Sequence, residues 1–178
     1  PLTFYTQAAR KTVLHPQTYA MFTRRSGRHG HRTLTTLAST REYVELARAG
    51  GGRIWVFAYG SLMWSTPEGV HIADRVRCRL HGFARSFCVH SRNYRGTPAA
   101  PGLVLGLQPS ESSACEGVAL DLGDPDSPTA LASLARIDAQ EMITQSNPKD
   151  VYLRTIQPVQ FDDGRSVPAL AFVANPAD

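Results

Sequence analysis

The chain has 178 residues and a mass of 19.5 kDa, which suits a single domain or a domain with an extension. Apolar residues make up 42% and charged residues 19%, a globular composition that excludes wholesale disorder. No run of about 18 apolar residues occurs, so we expect no membrane span. The N-terminus also lacks a signal-peptide pattern, which favours a cytoplasmic protein.

Positive charge is concentrated at the beginning of the chain. Residues 1–52 carry eight basic and two acidic side chains, whereas residues 53–178 carry eleven and thirteen. We therefore predict a basic N-terminal extension over 1–52, with a helix near 40–49, and a separate domain over 53–178. The cluster of Arg24, Arg25, Arg28 and Arg32 could contact an anionic partner, but it lacks interleaved aromatic residues. Neither a nucleic-acid partner nor a membrane is expected.

Further along the chain, glycines at 50–52 end the first predicted helix, which spans residues 34–48. The run IWVFAYG (54–60) indicates a buried strand, and the alternating segment 76–91 indicates one or two half-buried strands. Two more strands, 102–109 and 116–122, are predicted on either side of a Ser-rich turn. Segments 153–161 and 167–174 predict a hairpin around the turn at 162–164.

A second helix is predicted over residues 128–143, with Pro128 in its first turn. At about 100° per residue, an apolar face centred on Leu131 excludes Ser133 but includes two acidic residues, Asp138 and Glu141. Carboxylates on a core-facing side violate the pattern, and such violations tend to mark functional sites. Helical phase alone does not choose between the two residues.

An acidic side chain beside apolar neighbours has its charged form disfavoured, so its pKa rises toward the range useful for a general base. The alternative for Glu141 is a position at the rim, paired with an arginine or held by a backbone donor. Periodicity leaves both interpretations open.

The strand at 54–60 runs into the sequence YGSL, residues 59–62. Gly60 and Ser61 could let backbone N–H groups turn outward and hold a carboxylate. A plain turn is the simpler interpretation. Ser61 is also a conceivable hydrolase nucleophile, although the GxSxG frame is absent.

The three cysteines form no CxxC pair, which argues against a disulfide framework and against a metal site. Cys88 and His90 share a strand face, so a Cys–His nucleophile pair is a further alternative. Nothing near them in sequence would orient the imidazole.

Several motifs occur in one order: WVFAYGSLMW (55–64), RNYRGTPAAPGLVLGL (92–107), GVA (117–119), QEM (140–142) and DDGRSVPALAFV (162–173). In this order and spacing the chain resembles ChaC-type γ-glutamylcyclotransferases of the bacterial branch. The resemblance implies an α+β fold, in which a small mixed β-sheet curls into a barrel-like shape with a helix across it. It also implies that the domain is C-terminally shortened, since relatives continue beyond Asp178.

The resemblance implies cleavage of glutathione to 5-oxoproline and Cys-Gly, or action on other γ-glutamyl compounds, without a cofactor. Glu141 becomes the acid/base, and Tyr152 lines the pocket. The γ-glutamyl group is expected to contact Ala58, Tyr59, Gly60, Ser61, Leu62 and Met63. Arg95 and Gly96 are expected to shape the site. Ala58 replaces a usual glycine and Gln140 a common arginine, so a non-catalytic or weakened γ-glutamyl-binding module is the alternative.

Overall fold

The computed structural model describes residues 40–91, 95–141 and 151–175. Its elements are α1 (Thr40–Ala49), β1 (Ile54–Ala58), a 3₁₀ helix (Ser61–Met63), β2 (Asp74–Ser91), β3 (Gly102–Gly123), α2 (Pro128–Gln140), β4 (Tyr152–Phe161) and β5 (Ser166–Ala174). The basic cluster at 24–32, the start of the first predicted helix and positions 142–143 of the second lie outside the described residues.

The five strands form a closed barrel in the order β1-β3-β2-β4-β5. All neighbouring pairs are antiparallel except β1 and β5, which run parallel and close the barrel where Val56 faces Leu170. The α+β, barrel-like fold expected from the resemblance is confirmed. The predicted hairpin of β4 and β5 is also present, and its turn contains Gly164 with φ +83°.

Strand β1 is buried on both faces, which explains its uninterrupted apolar sequence. Ile54 and Val56 belong to one core cluster, which also contains residues of both helices. Phe57 belongs to a second cluster, formed by residues of the five strands. Strand β1 thus packs between two apolar layers. The segment that follows it, from residue 59 onward, therefore starts at a fixed position.

The predicted Ser-rich turn between 109 and 116 is wrong, because β3 is a single strand from Gly102 to Gly123. Its pairing with β2 shifts: His81 faces Ala114, whereas Phe83 faces Pro109. The serine-rich residues between 109 and 114 therefore bulge from a continuous ladder. Segment 76–91 likewise forms one strand, β2.

Helix α1 packs onto the barrel through Tyr43, Val44 and Ala47, which are all buried. Its position near 40–49 is as predicted. The Tyr43 hydroxyl donates to the carbonyl oxygen of Trp55 at 2.6 Å and accepts from the amide of Trp55 at 2.8 Å.

Helix α2 is capped at its N-terminus by Ser127, whose side chain accepts a hydrogen bond from the Ala130 amide, and it ends at Gln140, earlier than predicted. The predicted solvent position of Ser133 is wrong. Ser133 is fully buried, and its hydroxyl accepts a hydrogen bond from the His71 amide at 2.9 Å.

The core-facing side of α2 is consequently rotated from the predicted one. Its buried residues are Ala130, Ser133, Leu134, Ile137 and Asp138. These positions centre roughly 90° away from Leu131, close to the phase of Glu141. Within the described ranges, neither α-helix has the length and hydrophobicity needed to cross a bilayer.

Candidate functional site

Glu141 directly follows helix α2 as its C-terminal cap, and its side chain is half-buried. Its backbone amide donates to the Ile137 carbonyl at 3.0 Å, which fixes the residue on the last helical turn. Burial raises the pKa of Glu141, and the nearby negative charge of Asp138 adds to this effect. A hydrogen bond with the Gln140 side chain acts in the opposite direction. The carboxyl group is thus biased toward holding a proton.

Two tyrosines interact electrostatically with Glu141: Tyr59, which follows β1, and Tyr152, the first residue of β4. The Tyr59 hydroxyl donates to the Phe172 carbonyl at 2.8 Å, and the Tyr152 hydroxyl donates to the Leu105 carbonyl at 2.9 Å. Burial, reinforced by the charge of Glu141, raises the pKa of Tyr152 to about 12. Burial and the charges of Tyr152 and Glu141 also raise the pKa of Tyr59 well above 10. Both phenols are therefore neutral hydrogen-bond donors at physiological pH.

The segment after β1 turns sharply into the 3₁₀ helix. The Met63 amide donates to the Gly60 carbonyl at 2.9 Å, whereas the amides of Gly60, Ser61 and Leu62 meet no acceptor within the described residues. Free amides of this kind can bind an anion. The side chains of Ala58 and Leu62 are buried, so only their backbone can face a ligand, whereas Ser61 is exposed.

Two arginines of β2 hold this segment from outside. Arg85 donates to the Tyr59 carbonyl at 2.6 Å, and Arg75 donates to the Met63 carbonyl at 3.2 Å. The main chain from 59 to 63 is thereby fixed at both ends. Sequence reasoning missed these two side chains, because the pairing of β2 with the loop depends on the barrel.

Asp138, the second acidic candidate, forms a buried ion pair with Arg154 of β4. Pairing with an arginine, which the sequence leaves open for Glu141, is thus observed for Asp138. Arg154 was not identified from the sequence, although a basic residue among the apolar positions of LRTIQPVQF was an available signal.

The proposed Cys–His pair is not assembled in the described part of the chain. Cys88 is half-buried and contributes to the electrostatic environment of both tyrosines. His90 is exposed, and no hydrogen bond joins the two side chains among the described residues. A bulge between Phe87 and Val89 interrupts the regular alternation of the strand between them. The Ser61 hydroxyl likewise has no basic partner among the described residues.

The loop before β3 is tight. The amide of Thr97 donates to the Ala100 carbonyl at 3.0 Å, and the Ala100 amide returns a bond to Thr97 at 3.1 Å. A Cβ on Gly96 would lie 2.2 Å from the Gly102 nitrogen, so only glycine fits there. Arg95 is exposed.

Comparison with known proteins gives a consistent result. Residues 54–178 match the family model described as ChaC-like protein. The chain is 34% identical over 129 residues to the glutathione-specific γ-glutamylcyclotransferase of Escherichia coli, covering 72% of this chain and 51% of the relative. It is 45% identical over 60 residues to the enzyme of the same name from Schizosaccharomyces pombe, covering 34% and 29%. The chain thus spans about half the length of the bacterial relative, and less of the yeast one.

Solved structures support the fold. A yeast γ-glutamyl cyclotransferase specific to glutathione matches with a TM-score of 0.55 and 22% identity, over 70% of this chain and 69% of the other. A Bacillus subtilis protein matches with a TM-score of 0.51 and 15% identity, over 75% and 44%. These likenesses concern the architecture alone.

Proposed function

Because the chain belongs to the ChaC-like protein family, we propose that it is a γ-glutamylcyclotransferase that converts glutathione to 5-oxoproline and Cys-Gly. The observation that carries this proposal is the position of Glu141, half-buried at the end of α2 with a raised pKa and in electrostatic interaction with two tyrosines. Other γ-glutamyl amines, whose reacting group is identical, are the alternative substrates.

The reaction needs no external nucleophile. The α-amine of a γ-glutamyl group can attack the side-chain carbonyl carbon of the same residue and close a five-membered ring. Effective molarities for well-oriented intramolecular attack reach on the order of 10⁵–10⁸ M, so holding the substrate in a folded-back conformation supplies much of the rate. The C–N bond to the leaving amine then breaks.

Proton transfer is the remaining task, and we assign it to Glu141. The substrate amine is an ammonium ion at neutral pH, so the Glu141 carboxylate accepts a proton from it before ring closure. The same carboxyl group then donates this proton to the departing amine. The second proton that the ring nitrogen loses passes by the same route, so the amine leaves as an ammonium ion. A raised pKa suits both steps, because a general acid/base is most effective when its pKa lies near the working pH.

The segment 58–63 is proposed to bind the γ-glutamyl group. The amides of Gly60, Ser61 and Leu62 could hold the substrate α-carboxylate and stabilise negative charge on the tetrahedral oxygen. Ala58 and Met63 would lie at the two ends of this group of amides, and the phenols of Tyr59 and Tyr152 would line the pocket next to it.

We assign this activity to the predicted domain at 53–178 and place it in the cytoplasm, with a small-molecule substrate and no nucleic-acid partner. Cys78, Cys88 and Cys115 are all free, which suits a reducing compartment.

Replacement of Glu141 tests the proposal. Glu141→Gln keeps the shape of the side chain and removes its proton exchange, so release of 5-oxoproline from glutathione should fall about 10²–10⁴-fold. Glu116→Gln is the matched control, because Glu116 is an exposed carboxylate of β3 and should leave the rate unchanged. Parent-like turnover by Glu141→Gln would remove Glu141 as the acid/base. A parallel assay with γ-glutamyl-alanine separates glutathione specificity from general γ-glutamyl cyclisation.

A further inference from the structure

The buried ion pair of Asp138 and Arg154 joins helix α2 to strand β4. The exposed fractions of these side chains are 7% and 2%. Both terminal nitrogens of the guanidinium also donate to the Thr40 hydroxyl at 3.4 Å, at the first residue of α1. One cation thus connects three elements inside the protein.

The pair lies directly beside the candidate site in both elements. Glu141 follows Asp138 by three residues, so the two occupy the same side of the helix about 4.5 Å apart along its axis. Tyr152 precedes Arg154 by two residues and faces the same side of β4, about 6.6 Å away along the strand. Fixing Asp138 against Arg154 therefore fixes Glu141 relative to Tyr152.

Stability alone gives a weak reason for this arrangement. Desolvation of two buried charges offsets much of their attraction, and apolar replacements of similar volume are often neutral or stabilising. The second carboxylate oxygen of Asp138, Oδ1, is buried and has no hydrogen-bond partner among the described residues. Such an incompletely satisfied charge adds to the cost of the pair.

We infer that the Asp138–Arg154 ion pair positions the acid/base for the proposed reaction by fixing the end of α2 on β4. The inference rests on the proposed function. Asp138 and Arg154 are positioning residues, because they act through Glu141 rather than on the substrate.

The charge of Asp138 has a second effect on Glu141. The titratable groups that interact electrostatically with Glu141 are Tyr59 just after β1, Tyr152 on β4 and Asp138 on its own helix. Of these, Asp138 is the carboxylate ion-paired with Arg154, and its negative charge raises the pKa of Glu141. Removing that charge should lower this pKa, so the acid side of the pH profile should move to lower pH.

The decisive variant replaces both partners, Asp138→Val with Arg154→Met, so that no unpaired charge is left buried. We expect a folded protein with a melting temperature near that of the parent. Its kcat for 5-oxoproline release should fall about 10–100-fold, with KM changed less than about threefold, because the binding loop is untouched. The acid limb of kcat/KM should shift to lower pH. The control removes the exposed pair Arg79–Glu116 in the same way and should leave the melting temperature, kcat, KM and the acid limb unchanged.

A folded double variant with parent kcat and an unchanged pH profile would overturn the inference. If the double variant does not fold, Arg154→Lys tests the positioning role instead. Lysine keeps the positive charge but lacks the guanidinium group that contacts both Asp138 and Thr40. In this variant kcat should fall while the acid limb stays in place. Parent-like kcat in Arg154→Lys would then overturn the positioning role.

Titration of the Glu141 carboxyl carbon by ¹³C NMR distinguishes failure of the inference about Asp138 and Arg154 from failure of the proposed function. An inactive parent refutes the function, whereas an unshifted Glu141 pKa in the double variant refutes the effect of Asp138 whether or not the parent is active.

Discussion

Removing one hydroxyl group from Tyr43 should weaken the attachment of α1 to the barrel. The ring is fully buried, and its hydroxyl both donates to and accepts from the backbone of Trp55. The pairing of β1 with β3 shifts between Ile54 and Trp55, so the tyrosine provides partners at an irregular point of the sheet. Tyr43→Phe keeps the packing and leaves one N–H and one C=O group without this partner.

The expected cost follows from those two groups. A polar group left unsatisfied in a buried position costs about 1–3 kcal/mol, and local relaxation recovers part of it, so we expect a loss of about 2–4 kcal/mol. In a protein of this size each kcal/mol lowers the melting temperature by about 2–4 °C, which gives a decrease of about 5–15 °C.

Urea denaturation measures this effect directly, through a lower midpoint at an unchanged slope. Arg41→Gln is the control on the same helix, because its ion pair with Glu45 is exposed and should contribute less than about 0.5 kcal/mol. If Tyr43→Phe loses no more stability than this control, the Tyr43 hydroxyl does not anchor α1 to the barrel.

Four further outcomes are expected. Because burial raises the pKa of Glu141 and its carboxylate accepts the proton, kcat/KM should fall with decreasing pH above the usual glutamate value of 4.5; a limb at or below 4.5 contradicts this role. The same raised pKa means that the stability linked to this group is fully present below its unfolded pKa and is lost as pH rises. Glu141→Gln should therefore gain stability over the parent at neutral pH but not in acid, as calorimetry would show. Gly117→Ala should destabilise by about 1–3 kcal/mol in urea denaturation, since its Cβ would lie 2.5 Å from the Ala58 carbonyl oxygen and 2.6 Å from the Phe57 ring; an unchanged midpoint would contradict that close packing. Cys88→Ala should retain 5-oxoproline release, whereas inactivity of this folded variant would revive the thiol nucleophile.

The strands were predictable because their signals are local. Alternation in β2, the apolar run in β1 and the turn between β4 and β5 each depend on neighbouring residues. The course of β3 was not predictable in the same way. Serines usually indicate a turn, and only the pairing with His81 and Phe83 makes them a bulge within one strand.

The candidate site was partly predictable for a related reason. Helical spacing identified Asp138 and Glu141 as unusual carboxylates, but Arg154, which pairs with Asp138, comes sixteen residues later on a different element. The buried Ser133 displaced the estimated apolar face, because a hydroxyl can enter the core when a backbone amide such as that of His71 donates to it. Both the Asp138–Arg154 pair and the burial of Ser133 depend on contacts between distant segments, which helical periodicity does not reveal.

The parallel contact of β1 with β5 has a consequence for biosynthesis. The ribosome synthesises β1 long before β5. During translation the apolar strand β1 therefore lacks its parallel neighbour until β5 has emerged. Over that interval the backbone groups on the β5-facing edge of β1 remain open to other chains. Slower synthesis or added chaperone should therefore raise the yield of folded recombinant protein.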